Sequence, residues 1–168
     1  WTTTTWTLPA NIAVAVDEKQ DYSLVQDTSG NNFWVLKDLV EKVFKDGYQK
    51  IVKTVKGNEL VGLHYTGPFD EISAVKEVAK NNPDKFHIVV PTDSFIMPIS
   101  NTDGTGLVHT AVSAGTEDFA LGRKLGLPMI PIIADNADYL PGLDFLSGKN
   151  GKKHPEIILD YLEEKEKA

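Results

Sequence analysis

The chain contains no cysteine. That absence removes a disulfide framework, a thiolate nucleophile and thiolate metal ligands together, and it fits a reducing compartment. No apolar run approaches the ~20 residues that a spanning helix needs. No basic start followed by an apolar stretch marks a secretory leader. A membrane is therefore not an expected partner, and the cytoplasm is the expected location. Basic residues are in the minority, with 17 Lys and Arg against 24 Asp and Glu for a net charge of −7. They are scattered among acids, which excludes broad tracking along a phosphate backbone. Contact with a nucleic-acid end delivered by something else stays compatible with that charge. No His-Glu-x-x-His or related ligand set occurs, so no metal site is expected. There is neither an internal repeat nor a composition shift that would mark a linker.

What remains is 168 residues with 41% hydrophobic and 24% charged side chains, the balance of one ordinary globular domain. Trp1 to Thr5 reads as a strand, broken by Leu8-Pro9-Ala10-Asn11. Ile12 to Val16 reads as a strand buried on both faces. Tyr22 to Gln26 and Phe33 to Leu36 flank Ser29-Gly30-Asn31-Asn32, a hairpin signal. The spacing of Leu36, Leu39, Val40, Val43 and Phe44 predicts a helix ended by Gly47. Ile51 to Val55 is a strand. Asp70 is a candidate cap for a helix carrying Ile72, Val75, Val78 and Ala79. Phe86 to Val90 is a strand, and Phe95 to Ile99 is another candidate. Met129 to Ile133 reads as an edge strand because Pro131 lies inside it. Residues 134–153 look like a loop, and Pro155 opens a last helix through Leu162. The expected fold is a strand-rich mixed α/β (α+β) domain, with a curved or barrel-like β core and helices outside.

The chemistry concentrates in Gly104-Thr-Gly-Leu-Val-His-Thr-Ala-Val-Ser-Ala-Gly-Thr-Glu-Asp118. A strand end carries His109, a small-residue loop follows, and Thr116 is expected to cap a helix running to Leu125 and stopped by Gly126. Strand-end loops are where sites sit. Taken singly, each residue has a plainer role. Asp118 favours the positive helix end, His109 can be a structural histidine, and Gly104 and Gly106 turn the chain. Ser113 with His109 and Asp118 suggests a serine hydrolase, but no Gly-x-Ser-x-Gly elbow is present. Asp27-Thr28-Ser29-Gly30 has an extra residue for an aspartic protease and no second copy.

Two stretches together are far more specific. Trp1-Thr-Thr-Thr-x-Trp-Thr-Leu-Pro-Ala-Asn11 and Gly104-Thr-Gly-x-Val-His-Thr-Ala, with Asp118 nine residues after His109, resemble the editing domain of isoleucyl-tRNA synthetases, the insertion called connective polypeptide 1. The Lys-Gly-x-Glu-Leu-x-Gly-Leu-x-Tyr tract ending at Tyr65 is similar to the same family. Valyl and leucyl relatives carry Thr-Arg-Pro at Thr3-Thr4-Thr5, which favours the isoleucyl branch. The signature motifs of the synthetic site are absent, and the chain starts on Trp1, so it reads as a single excised editing domain over 1–168.

The resemblance implies hydrolysis of valyl-tRNA(Ile) formed in error, with valyl-adenylate as a second substrate. One methylene is worth only ~1–3 kcal/mol to a hydrophobic pocket, a limit for which isoleucyl enzymes are themselves the standing example. It implies a carboxylate at Asp118 that pairs with the α-ammonium, and an imidazole at His109 that borders the side-chain pocket and positions the ester. Thr2, Thr3 and Thr4 would line the site with hydroxyls, Asn11 would contribute an amide, Trp1 would pack at the terminal adenosine, and Gly104 and Gly106 would admit backbone to the ligand. No cofactor is implied, since ATP and Mg serve only the synthetic site. The implied partners are the 3′ CCA end of tRNA(Ile) carrying valine and the remainder of the synthetase, with the excised piece a monomer. Thr5 and Val112 stand where the family usually has proline, losing a fixed φ at each place. The competing expectations are a docking insert that binds the tRNA end without cleaving, or the equivalent domain of a valyl or leucyl enzyme.

Overall fold

The computed structural model describes every residue except Trp1, Thr3 and Ala168. The strand expected over Trp1 to Thr5 falls partly on undescribed residues. Where it is described it is not a strand, because Thr5–Ala10 forms a 3-10 turn. Thr4 precedes that turn, and its carbonyl accepts both the Thr7 amide at 3.2 Å and the Thr7 hydroxyl at 2.8 Å. The local Thr side chain thus closes a turn where strand propensity alone favoured a ladder. The chain divides into two compact units. One comprises Val14–Leu63 and Ile88–His109 with Thr2, and the other comprises the stretch ending at Ala13, His64–His87 and the chain from Thr110 onward.

The first unit carries the sheet that the sequence marks most clearly. Strand β2 (Asp21–Gln26) lies between β3 (Asn32–Leu36) and β4 (Lys50–Lys56), antiparallel to both. The β2–β3 turn is built by Asp27, whose Oδ1 accepts the Ser29 and Asn31 amides at 2.9 and 2.8 Å. The Asp-Thr-Ser-Gly sequence is therefore a turn former. Strand β4 is exposed except at the half-buried Val55, and its lysines are what a free sheet edge carries against unwanted pairing. Tyr22, Val25, Val35, Leu36, Leu39, Val40 and Leu60 form a buried cluster with Val16. Leu36 is paired to Tyr22 as the last residue of β3, so the helix expected from Leu36 shrinks to a 3-10 turn, Lys37–Leu39, and one turn of α1 (Val40–Val43).

A second sheet has the order β5-β1-β6, with β1 at Ala13–Val16, β5 at Ile88–Pro91 and β6 at Val108–Thr110. Two separate three-stranded sheets replace the closed, barrel-like core that was expected; the mixed, strand-rich class stands. Phe95 to Ile99 is not a strand. Asp93 Oδ1 accepts the Phe95 amide at 2.8 Å and Thr92 Oγ1 donates to the Met97 carbonyl, folding the segment into a turn.

The second unit is held by helices and irregular chain. Helix α2 (Ser73–Asn81) buries Val75. Its expected cap, Asp70, instead accepts the Gly67 amide at 2.8 Å, while the Ser73 amide is taken by Asp144 Oδ2 at 2.9 Å from a segment 71 residues away. Helix α3 (Thr116–Leu125) ends on Gly126 in the left-handed region, as the sequence predicts. Its N-cap is Gly115, not Thr116. Met129 to Ile133 makes no strand beyond a single bridge from Ile133 to Tyr139. Pro128 and Pro131 lack the amide donors a ladder would use. Helix α4 (Glu156–Lys167) begins after Pro155. Phe69, Tyr161 and Phe145 stack in series, with centroids 5.1 and 4.7 Å apart.

Candidate functional site

Asp118 sits in the first turn of α3, where the positive helix end favours a carboxylate. Its Oδ1 accepts the Ala111 amide at 2.8 Å. That bond clips the loop after His109 back onto the helix. Burial raises the carboxyl above the ordinary aspartate range, and the bonds from the Ala111 and Asp118 amides work against that rise. In such a partly dry setting a carboxylate attracts an ammonium more strongly than it would in water.

The loop itself is fixed at three more points. The Ala114 amide donates to the Ala111 carbonyl at 2.9 Å. Val112 is buried with its methyls over Gly122, where a Cβ would come within 2.6 Å of Cγ1. The Ser113 hydroxyl donates to the Ile130 carbonyl. Ser113 thus anchors the loop, which removes the serine-hydrolase arrangement, and Val112 fastens it by packing. An open depression of about 360 Å³ is lined by Val112 to Thr116 and Phe119.

His109 lies in β6 of the first unit. Burial lowers its pKa to about 4, so it is a neutral imidazole at physiological pH. Gly104 and Gly106 both have φ of 77°. Gly106 also packs on the sheet, since a Cβ there would lie 2.3 Å from Leu36 Cβ. Its carbonyl accepts the buried Tyr22 hydroxyl at 2.9 Å, and that hydroxyl accepts the Asp17 amide at 2.9 Å. Gly106 therefore docks the loop before His109 onto the core of the first unit. Thr2 falls in the same unit, and Thr4 in the second. The roles given to Trp1 and Thr3 lie outside the described residues.

Asn11 is engaged within the second unit. Its Nδ2 donates to the Ala13 carbonyl at 3.1 Å, its Oδ1 accepts the Tyr65 hydroxyl at 2.5 Å, and its carbonyl accepts from His87 Nε2 at 3.2 Å. The Tyr65 and His87 rings stack at 4.8 Å. His87 has left-handed φ of 47° and is buried, and its Nδ1 comes within 3.2 Å of Asp70 Oδ1 without the angle of a hydrogen bond. Burial lowers the His87 pKa while the Asp70 charge opposes the change. The sequence marks no site role for His87 or Tyr65, since nothing in their spacing announces a network that closes across 54 to 76 residues of chain.

The chain matches no family model. Its fold is similar to the solved structure GlLeuRS-CP1, with a TM-score of 0.68 at 14% identity over 98% of this chain and 79% of that one. It is also similar to the editing domain of the cytosolic leucyl-tRNA synthetase of P. falciparum, with a TM-score of 0.53 at 18% identity over 74% of this chain and 44% of that one. The fold is thus that of the editing domains inserted into class I aminoacyl-tRNA synthetases.

Sequence relatives narrow the class. The isoleucine–tRNA ligase of Pyrococcus furiosus is 40% identical over 171 residues, and that of Thermococcus kodakarensis 37% over 170, each covering 98% of this chain and 15% of the relative. That of Aquifex pyrophilus is 36% identical over 169 residues, covering 98% of this chain and 31% of the relative. The chain belongs to the isoleucine–tRNA ligase family, of which it spans only a segment. The sequence relatives named here are isoleucyl enzymes, whereas the two solved structures named above are leucyl ones.

Proposed function

We propose that this chain hydrolyses the ester of valyl-tRNA(Ile), with valyl-adenylate as a further substrate, acting as one editing domain within a cytoplasmic synthetase. The observation that supports the reading most is the partly buried Asp118 carboxyl, fixed by the Ala111 amide on the loop that follows His109. In this reading the α-ammonium of the aminoacyl group pairs with Asp118. The neutral His109 borders the valine side chain and orients the ester carbonyl. Water attacks the carbonyl carbon, the bond to the ribose oxygen breaks, and that oxygen takes the proton, so valine and a free tRNA end leave. An aminoacyl ester is already labile, and positioning supplies much of the rate. The engagement of Ser113 with Ile130 agrees with direct attack by water.

The first test is binding. A non-hydrolysable valyl-adenosine analogue, titrated into the labelled chain, is expected to shift the amides of Ala111 and Asp118 and the ring of His109. Shifts confined to other regions contradict the site. Binding without cleavage of the corresponding ester supports the docking-insert alternative.

A further inference from the structure

Glycines in this chain fall into two physical kinds. Gly30 and Gly142 have positive φ with open space around the missing side chain, so the backbone alone requires them. Gly115 is the reverse. Its φ of −142° and ψ of 147° are extended values that any residue adopts. As the N-cap of α3 it makes no side-chain cap, where serine or aspartate would give one. What excludes a side chain is space: a Cβ at Gly115 would lie 2.2 Å from Asp118 Oδ2 and 3.0 Å from Asp118 Cγ. The carboxylate therefore lies directly over residue 115, with Oδ1 turned to the Ala111 amide at 2.8 Å. The helical spacing carries the pattern on. Gly115, Asp118 and Gly122 recur at three and four residues on one face, and at Gly122 the missing Cβ makes way for Val112.

We infer that Gly115 is a positioning residue for editing: its lack of a side chain seats the Asp118 carboxylate so that one oxygen grips the Ala111 amide and the other is presented to the substrate ammonium. This rests on the editing reading for the identity of the substrate, but not for the seating itself. A methyl at 115 forces the carboxylate to rotate away, and the loop amide loses its acceptor. The prediction is specific because the three atoms nearest such a methyl all belong to Asp118.

The experiment is a cycle of Gly115→Ala, Asp118→Ala and the double variant in the whole chain. It is read by hydrogen exchange at the Ala111 amide, by melting temperature, and by kcat and KM on a valyl-adenosine ester. Gly115→Ala is expected to speed Ala111 exchange about tenfold or more and to raise KM about tenfold while kcat stays within about threefold. In the Asp118→Ala background the same change should leave Ala111 exchange unaltered and move melting only by the intrinsic N-cap preference for glycine over alanine. The inference is overturned if Gly115→Ala leaves Ala111 exchange unchanged, or if its effect persists undiminished once the carboxylate is gone. Should Gly115→Ala fail to fold, the double variant decides: folding as well as Asp118→Ala supports the seating, and failing likewise overturns it. A wild-type chain that neither binds nor cleaves the ester defeats the editing reading, while the exchange and melting arms still judge Gly115.

Discussion

The two compact units keep their shape by different means. In the first, backbone ladders do most of the work: β2 pairs with β3 and β4, and one face buries Tyr22, Leu36 and their neighbours. In the second, side chains bond to backbone outside their own turn: Asp118 to Ala111 across seven residues, and over longer spans Ser113 to Ile130, Asp144 to Ser73, and the Tyr139 hydroxyl to the Trp6 carbonyl at 3.0 Å. A ladder repeats, so losing one side chain weakens packing without removing a specific contact. A clip is a single bond, and its loss frees a particular loop. The candidate chemistry at Asp118 sits among clips, where a small change in one side chain moves the geometry of another.

The sharpest way to break that contrast is at Asp118. Asp118→Ala is expected to lower valyl-ester cleavage on the order of 100-fold or more through loss of the ammonium's counter-charge, with at most about 1–2 kcal/mol of stability lost with the Ala111 bond. Initial-rate assays beside thermal melts separate the two. Leu36→Ala should do the opposite, costing about 2–5 kcal/mol of stability while activity per folded molecule changes little; denaturant titration and active-site counting check it. Tyr65→Phe, which takes the donor from Asn11 Oδ1, should cost about 1–2 kcal/mol, with a local rise in exchange at Asn11 and His87.

A smaller effect concerns pH. The folded pKa of His109 lies near 4, below its unfolded value near 6.5. Between those values the unfolded chain binds more protons, so stability falls as pH is lowered through that window, by about 1.4 kcal/mol per pH unit from this group. His109→Gln should remove that portion of the slope in melts recorded from pH 7 to pH 4. Least is expected of Lys53→Ala on the exposed β4 edge. Its ammonium lies 5.4 Å over the Trp34 ring, and its loss should cost about 0.5–1 kcal/mol or less.

The same contrast explains what the sequence discloses. Periodicity and turn chemistry are local, so the β2–β3 hairpin, α3 with its Gly126 stop, and the start of α4 after Pro155 are legible. So is Asp118 in a first helical turn. Contacts that close over long chain distances leave no local mark. Asp70 looks like a cap because its neighbours suit one, yet the cap comes from Asp144. Phe95 to Ile99 and Met129 to Ile133 have strand composition, but side-chain turns and prolines decide otherwise. The Thr run shows the limit of propensity, since Thr7 closes a turn onto Thr4 instead of extending a strand. The motif pairing carried the family assignment, which no single residue supported. Gly115 carries no sequence mark, because a glycine required by a neighbour's carboxylate looks, in sequence, like any glycine before a helix.

The most direct measurement of the central claim compares two substrates on one protein. The chain is given valyl and isoleucyl esters of adenosine, matched in concentration, and release of free amino acid is followed. Cleavage of the valyl ester is expected, with little or none of the isoleucyl ester and loss of the valyl reaction in Asp118→Ala. Equal cleavage of both esters, or valyl cleavage that survives Asp118→Ala intact, would contradict that claim.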